Sequence, residues 1–353
     1  MDSKNRAPYA RPVYARGQND AENHARRGWL ATVAALGAVL GAGLALPVAV
    51  HAQAFPVRPL KIVVPNAAGG AADITARTVA QELAKALGQS VVIDNRPSAG
   101  GVIAGELVAK AEPDGHTLLL VSSGTAVSAA MFKQLPFDTV RDFAPVSMLA
   151  SFDLALVVSE GGRFKSLADL LSYGRANPGK LNIGTPNIGT TQHLAAELFK
   201  GSAGLDAQII PFNGTPAVLT ALRGGTLDAA IDILGPLMPQ IGARALKALA
   251  VLGEKRAPAL PDVPAVREQG GSLSGFNVSS WNGLAVPART PAEVVARLSR
   301  EVQAAVSQPD VTKKLLDLTL VARGSPPAQL AELLEFDIRR WGDVIQRAGI
   351  ARQ

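Results

Sequence analysis

The chain has 353 residues, 18% charged and 48% hydrophobic, with a formal net charge of +6 at pH 7. It contains no cysteine, which excludes disulfides, thiolate metal sites, a cysteine nucleophile and a lipoprotein anchor. The first 52 residues hold six Lys/Arg and three Asp/Glu, leaving +3 for the remainder, so the charge gives no reason to expect a nucleic-acid partner.

Arg26 and Arg27 close a polar, net basic stretch, and Trp29 to Val50 then run 22 residues without a charge. That pattern is the basic n-region and apolar h-region of a signal peptide. Val50-His51-Ala52 places small residues at the −3 and −1 positions of a peptidase site, so cleavage is expected after Ala52, with Ala54 the alternative. An uncleaved anchor is the rival reading, since such a stretch could span roughly 30 Å of hydrocarbon. Gly37, Gly41, Gly43 and the small-residue exit favour cleavage. Arg26-Arg27 followed by Leu30 loosely resembles a twin-arginine signal, so the export route stays open. The expected location is the periplasm, with a mature protein that is not membrane-embedded.

From Leu60 onward short apolar runs alternate with amphipathic stretches. The strand Leu60 to Val64 leads through a glycine-rich turn to a helix from Ala71 to Leu87, whose apolar residues recur at three- and four-residue spacing until Gly88 stops it. Strands Val91 to Ile93 and Thr117 to Val121 flank a helix from Val102 to Lys110, and a further helix follows Gly124. After a strand from Asp153 to Val158 the alternation restarts. It gives helix Leu167 to Arg175, strand Leu181 to Gly184, helix Thr191 to Lys200, strand Ala207 to Pro211, helix Ala217 to Leu222 and strand Leu227 to Ile233. Ala248 to Leu252, Asn277 to Val286, and helices Pro291 to Val306 and Ala328 to Ala348 complete the chain. This predicts an α/β protein of doubly wound, mainly parallel sheets, and the restart suggests two lobes.

Ligands of such sheets bind beyond the carboxyl ends of the strands, where helix N-termini present unpaired N–H groups. Four strand-to-helix loops there are rich in Gly and small hydroxyl residues. They are Pro65 to Asp73, Ser122 to Thr125, Asn187 to His193 and Asn213 to Thr215. Glycines let a ligand approach the backbone, and helix starts donate to an anion. N-capping is the plain alternative for each Ser and Thr, and for Asp73 in the first turn of its helix. Asp232 ends an apolar run and needs a partner if buried.

The first loop is not a Walker loop, since no Gly-Lys-Ser/Thr follows, and it lacks the G-x-G-x-x-G spacing of a dinucleotide site. No G-x-S-x-G elbow, H-E-x-x-H pair or C-x-x-C motif occurs. Beyond the signal only His116 and His193 remain, too few for a metal cluster or a Ser-His-Asp relay, and both read as structural. Trp281 and Trp341 read as core packing. The chain is therefore expected to be no enzyme, without cofactor, metal or catalytic residue.

Several stretches together carry a resemblance. They include Val64-Pro65 leading to Gly69-Gly70-x-x-Asp73-x-x-x-Arg77, Asp94-Asn95-Arg96-Pro97 with Gly100-Gly101, and Leu135-Pro136-Phe137-Asp138. Asp142-Phe143-Ala144-Pro145, Gly224-Gly225-x-x-Asp228, Leu260-Pro261-Asp262-Val263-Pro264 and Ser280-Trp281-x-Gly283 continue it. In this order and spacing the chain resembles the tripartite tricarboxylate transporter receptors, the Bug family, over essentially all of the mature sequence.

The resemblance implies a two-lobed type II periplasmic-binding-protein fold joined by crossing strands, here Asp153 to Ser159 and Phe276 to Ala288. Lobe 1 would comprise residues 55–156 and 278–353, and lobe 2 residues 157–277. It implies a monomer that grips a small carboxylate (a di- or tricarboxylate, an aromatic acid or an acidic amino acid) through backbone amides, hydroxyls and waters. The carboxylate would then pass to a small and a large membrane subunit of a transporter. The ligand loops match Asn66, Gly69, Gly70, Ala72 and Asp73; Ser122, Ser123 and Thr125; Gly189, Thr190, Thr191 and His193; and Asn213, Gly214 and Asp232. Asn66, where the family often has an aromatic residue, and Asn187-Ile188 with Thr190-Thr191 depart from the pattern and alter the pocket wall. A receptor that signals to a sensor partner, and a secreted hydrolase on the same fold, are the rival readings.

Overall fold

The computed structural model describes residues 55–353; the predicted signal and its cleavage site at Ala52 or Ala54 lie outside the described residues. The first parallel ladder has the order β2-β1-β3, from β1 (Leu60–Val64), β2 (Val91–Asn95) and β3 (Thr117–Ser122). Helices α1 (Ala71–Leu87) and α2 (Val102–Ala109) connect these strands, and α3 (Ser123–Met131) begins directly after β3. A second ladder joins β5 (Leu181–Pro186), β6 (Ala207–Phe212) and β7 (Ala229–Ile233), with β5 parallel to both neighbours. Its helices are α4 (Leu167–Ala176), α5 (Thr191–Ala203), α6 (Thr215–Arg223) and α7 (Leu234–Gly242).

One long strand, β4 (Phe143–Ser159), runs through both sheets. Up to Asp153 it pairs antiparallel with β9 (Ser279–Pro287), and from Leu154 it pairs with β7 and β8 (Leu246–Val251). β9 also pairs antiparallel with β3, which closes the first sheet onto the crossing strand. The chain ends with α8 (Ala292–Val306), α9 (Pro309–Leu316), β10 (Leu320–Ala322) against β4, and α10 (Pro327–Arg347). The fold is thus α/β with two lobes, and its sheets are mixed. The expected parallel order holds in the outer ladders and is corrected at the centre, where strands that leave one sheet and return must run antiparallel to their neighbours.

The inner strands of each lobe are apolar on both faces because helices cover both, whereas the edge strands β2 and β6 are partly exposed. In β1, Leu60, Ile62 and Val64 share a core with Ala76, Val79 and Leu83 of α1 and Leu298 and Val302 of α8, whereas Val63 faces the opposite core. β4 exchanges its layers at the crossing. Ala150 and Phe152 pack beneath α1 and α8, while Leu154, Leu156 and Val158 join the cluster of α5 and α10. Each such buried Leu or Val contributes about 1.5–3 kcal/mol of transfer free energy.

The strand expected from Asp153 to Val158 begins ten residues earlier in the chain, at Phe143. Its first part is interrupted by register shifts after Pro145 and Met148 that blur the alternation. Three elements have no counterpart in the sequence reading. α7 contains Pro236 and Pro239, which read as a break, yet Leu234 and Leu237 are buried and hold the segment helical. α9 opens with Pro309, a favoured first helical residue, and β10 is only three residues long.

Trp281 and Trp341 are both buried, as expected. Trp281 Nε1 donates to Asp337 Oδ2 at 2.8 Å, and Asp337 Oδ1 lies 2.8 Å from Arg340 Nη2, which ties α10 to β9. Burial pushes the Asp337 carboxyl up, and the Arg340 charge and the Trp281 hydrogen bond oppose that push. Removing one partner of such a buried pair leaves the other uncompensated. Asp337→Ala is expected to cost on the order of 3 kcal/mol in urea unfolding at pH 7; an unchanged midpoint and slope would show that the pair adds nothing.

Candidate functional site

A cavity of about 390 Å³ opens at the carboxyl ends of the strands, bordered by the loops after β1, β2, β3 and β5 and by the crossing strands β4 and β9. Three helices have their first residues in its wall, α1 after Gly70, α3 after Ser122 and α5 after Thr190, whereas at the starts of α2 and α7 only the preceding residues, Gly101 and Ile233, border it. The first N–H groups of a helix have no intrahelical acceptor and carry the positive end of its dipole. Gly70, Ala71, Ala72, Ser123, Gly124, Thr191 and Gln192 bring such groups to the cavity from both lobes. Among the described residues that border it, none carries a formal charge. The cavity is therefore suited to an anion held by neutral donors.

The first loop is held by a network around Asp73, which is 3% exposed. Its carboxylate accepts from the Gly69 N–H at 2.9 Å, from Arg77 Nε at 3.0 Å and from Asn95 Nδ2 at 3.0 Å. Asn95 Nδ2 also donates to the Asn66 carbonyl, and Arg77 Nη2 donates to Asn95 Oδ1. Gly69 supplies the turn with a φ of 84°, a left-handed conformation that favours glycine. The Gly-Gly, Asp, Arg and Asn positions of the motif thus brace one loop, which leaves the α1 start free. Burial opposes ionisation of Asp73, but the hydrogen bonds from Arg77, Gly69 and Asn95 outweigh it and hold the carboxyl below its usual range.

Capping accounts for much of the hydroxyl chemistry. Thr125 Oγ1 accepts from the Ser122 N–H at 3.0 Å, and Thr190 Oγ1 accepts from the His193 N–H at 3.2 Å while facing the Pro186 and Asn187 carbonyls. Ser123 Oγ accepts from the Trp281 N–H at 2.8 Å, which locks the α3 start onto β9. These residues border the cavity as well as shaping it.

Of the residues singled out in the sequence, Asn66, Gly70, Ala72, Ser122, Ser123, Thr125, Gly189, Thr190 and Thr191 come together around this cavity. Gly69, Asp73, His193, Asn213, Gly214 and Asp232 stand outside its wall. Gly69 and Asp73 act through the loop network, and Gly214 starts α6 with a φ of 85°. His193 is 6% exposed, and burial pushes its imidazole down toward the neutral form. Asp232 is fully buried behind the wall, where Oδ1 accepts from the Ile233 N–H at 2.7 Å and from Gln192 Nε2 at 3.2 Å. Burial pushes its carboxyl up, and hydrogen bonds with Thr215, the Ile233 N–H and Gln192 only partly oppose that.

Ser98, Gly100, Gly101, Phe137, Phe152, Gln192, Ser280, Trp281 and Asn282 also border the cavity and were not among the expected site residues. Gly100-Gly101, Phe137 and Ser280-Trp281 stand in motifs of the family pattern and could have been found there. Phe137 packs its ring over Gly105, where a Cβ would collide, and meets Phe143 edge-on at 5.5 Å. Phe152 and Asn282 sit on crossing strands and carry no local signal.

A two-lobed α/β fold with an uncharged, donor-rich cavity at its strand ends defines a solute-binding protein. Residues 75–350 match the family described as tripartite tricarboxylate transporter family receptor, TctC. The chain belongs to that family of periplasmic solute-binding receptors. It is 38% identical over 293 residues to a UPF0065 protein from the tcbD-tcbE intergenic region of Pseudomonas sp. strain P51, covering 83% of this chain and 87% of that one. The solved structure of MatC from Rhodopseudomonas palustris with bound malate is similar, with a TM-score of 0.68, 36% identity and coverage of 82% of this chain and 100% of that one. A second R. palustris protein, solved with adipate, gives a TM-score of 0.72 and 34% identity over 84% of this chain and 99% of that one. No helix among the described residues is long and apolar enough to cross a membrane.

The Asp73 network makes a pH-dependent contribution with a defined sign. A carboxyl held below its usual value stabilises the fold above that value, about 3.9, and the contribution is lost as pH falls through the folded-state value. Asp73→Asn is expected to lower stability by about 2 kcal/mol at pH 7. Its deficit relative to the parent should shrink as thermal unfolding is followed from pH 5 to pH 3; a deficit independent of pH would contradict the charge-based account.

Proposed function

We propose that this chain is an exported receptor that captures a small organic carboxylate, foremost a dicarboxylate, and delivers it to the membrane subunits of a tripartite transporter. The observation that carries this reading is the meeting of three uncharged helix starts, two from one lobe and one from the other, on one cavity. Its volume of about 390 Å³ lies at the lower end of the ligand-pocket range, roughly 300–1,000 Å³. Malate and adipate, the acids bound in the two R. palustris relatives, support the ligand class.

The lobes follow the expected bounds, residues 55–156 with 278–353 and residues 157–277, except that residues 154–156 pair with the second sheet and so move the hinge to where β4 changes sheets between Asp153 and Leu154. A carboxylate shared by helix starts of both lobes binds the closed form better than the open one, and that difference drives closure. The site residues of this proposal are Asn66, Gly70, Ala72, Ser122, Ser123, Thr125, Gly189, Thr190 and Thr191 as direct or backbone contacts. Gly69, Asp73, His193, Asn213, Gly214 and Asp232 support them from behind. The receptor works as a monomer, without catalysis, cofactor or metal.

Binding to the native state alone raises the unfolding midpoint. A cognate acid at about 100 times its Kd adds roughly 2.7 kcal/mol, a shift of several degrees. Residues 53–353, refolded to remove carried-over ligand, are expected to show this shift with one class of di- or tricarboxylates and to leave the acid unconsumed. Gly70→Asp places a like charge at the start of α1 on the cavity, at an exposed position with a φ of −84° where a Cβ makes no close contact, and should weaken binding at least 100-fold while the unliganded midpoint holds. No shift with any carboxylate would overturn the ligand class, and consumption of the acid would overturn the receptor role.

A further inference from the structure

The cavity offers mainly donors, yet two side-chain amides on its wall, one from each lobe, are tethered by their nitrogen ends. Gln192, at the start of α5, donates through Nε2 to Asp232 Oδ1 at 3.2 Å. That oxygen already accepts the Ile233 N–H at 2.7 Å, so it is an acceptor, and a reversed Gln192 amide would set oxygen against oxygen. Even a protonated Asp232 would keep its proton on Oδ2, since Oδ1 receives both N–H groups and the Thr215 hydroxyl stands beside the carboxyl to take that proton. Asn282, on β9, donates through Nδ2 to Thr75 Oγ1 at 3.3 Å. Thr75 spends its only proton on the Ala71 carbonyl at 2.7 Å, so it too can only accept from the amide.

In both amides the carbonyl oxygen has no partner among the described residues, and unlike the second amide N–H it cannot be satisfied by a carboxylate. Gln192 is half-buried and Asn282 is 1% exposed, so water competes poorly for Asn282 in particular. A ligand made only of carboxylates and methylenes satisfies the helix starts and leaves both carbonyls unpaired when the lobes close. Leaving a desolvated acceptor unpaired costs more than a hydrogen bond gains, which is how polar sites reject analogues that lack a donor.

We infer that Gln192 and Asn282 select, among small dicarboxylates, those that carry a hydrogen-bond-donating substituent, a hydroxyl or an ammonium, on the carbon chain. Asp232 is a positioning residue that sets the Gln192 amide and does not touch the ligand. This rests on the carboxylate reading above and adds a specificity that the adipate- and malate-bound relatives do not decide between them.

The test is isothermal titration of the refolded chain with matched acids, succinate against L-malate and L-aspartate, and glutarate against 2-hydroxyglutarate and L-glutamate. Wild type is expected to bind a substituted member at least tenfold more tightly than its unsubstituted partner, and the preferred arm tells hydroxyl from ammonium. Gln192→Leu should bring that ratio to within threefold by removing the unpaired carbonyl that penalises the unsubstituted acid, whereas general damage to the site would weaken every acid alike. Equal affinities in wild type, a preference that survives Gln192→Leu, or an equal loss for every acid would overturn the inference and leave the receptor reading intact. If Gln192→Leu does not fold, the wild-type ratio alone decides. Binding of none of these acids overturns the carboxylate reading and this inference together.

Discussion

The first N–H groups of a helix have no partner within it, and this fold sets three such helix starts at the edge of one cavity. Everything around them keeps those groups both exposed to a ligand and fixed in place. Asp73, Arg77 and Asn95 brace the loop before α1 without entering the cavity, Ser123 pins the start of α3 to the Trp281 backbone, and Thr190 caps α5. The side chains expected to grip a ligand are in large part occupied with building the frame. In the proposed function the backbone is the reagent, and the uncharged wall spares the protein the cost of burying a cation in the empty state.

The same constraint explains the connectivity. Donors from two lobes can converge only if the strand ends of both sheets face each other, and a continuous strand such as β4 holds them so. The exchange of layers near Asp153, from the α1–α8 core to the α5–α10 core, lets one strand serve both sheets. Gly283 shows how tightly the return strand is fitted, since a Cβ there would meet Leu330 at 2.8 Å and the Ser147 carbonyl at 3.0 Å.

Much of this was legible in the sequence, and the misses have physical causes. α1 was readable from end to end because its apolar residues recur at helical spacing and Gly88 adopts a φ of 65°. The loops that start α1, α3 and α5 announced themselves through glycine and hydroxyl residues. The start of β4 was not readable, since its register shifts break the two-residue alternation, and α7 was hidden by prolines that burial of Leu234 and Leu237 overrides. Within the site, Asn282 and Phe152 reach the cavity only through long-range pairing of crossing strands, for which a local pattern holds no signal. Asp232 read as a ligand contact because an acid ending an apolar run must find a partner. It finds Gln192 and the Ile233 N–H instead of the cavity.

The central claim is that backbone amides of both lobes hold the ligand carboxylates. Amide chemical shifts of the isotopically labelled chain, followed while a bound dicarboxylate is titrated in, test it most directly. The account predicts that Gly70, Ala72, Ser123, Gly124, Thr191 and Gln192 shift together with a single affinity. Shifts confined to one lobe, or centred on arginine side chains away from these helix starts, would contradict it.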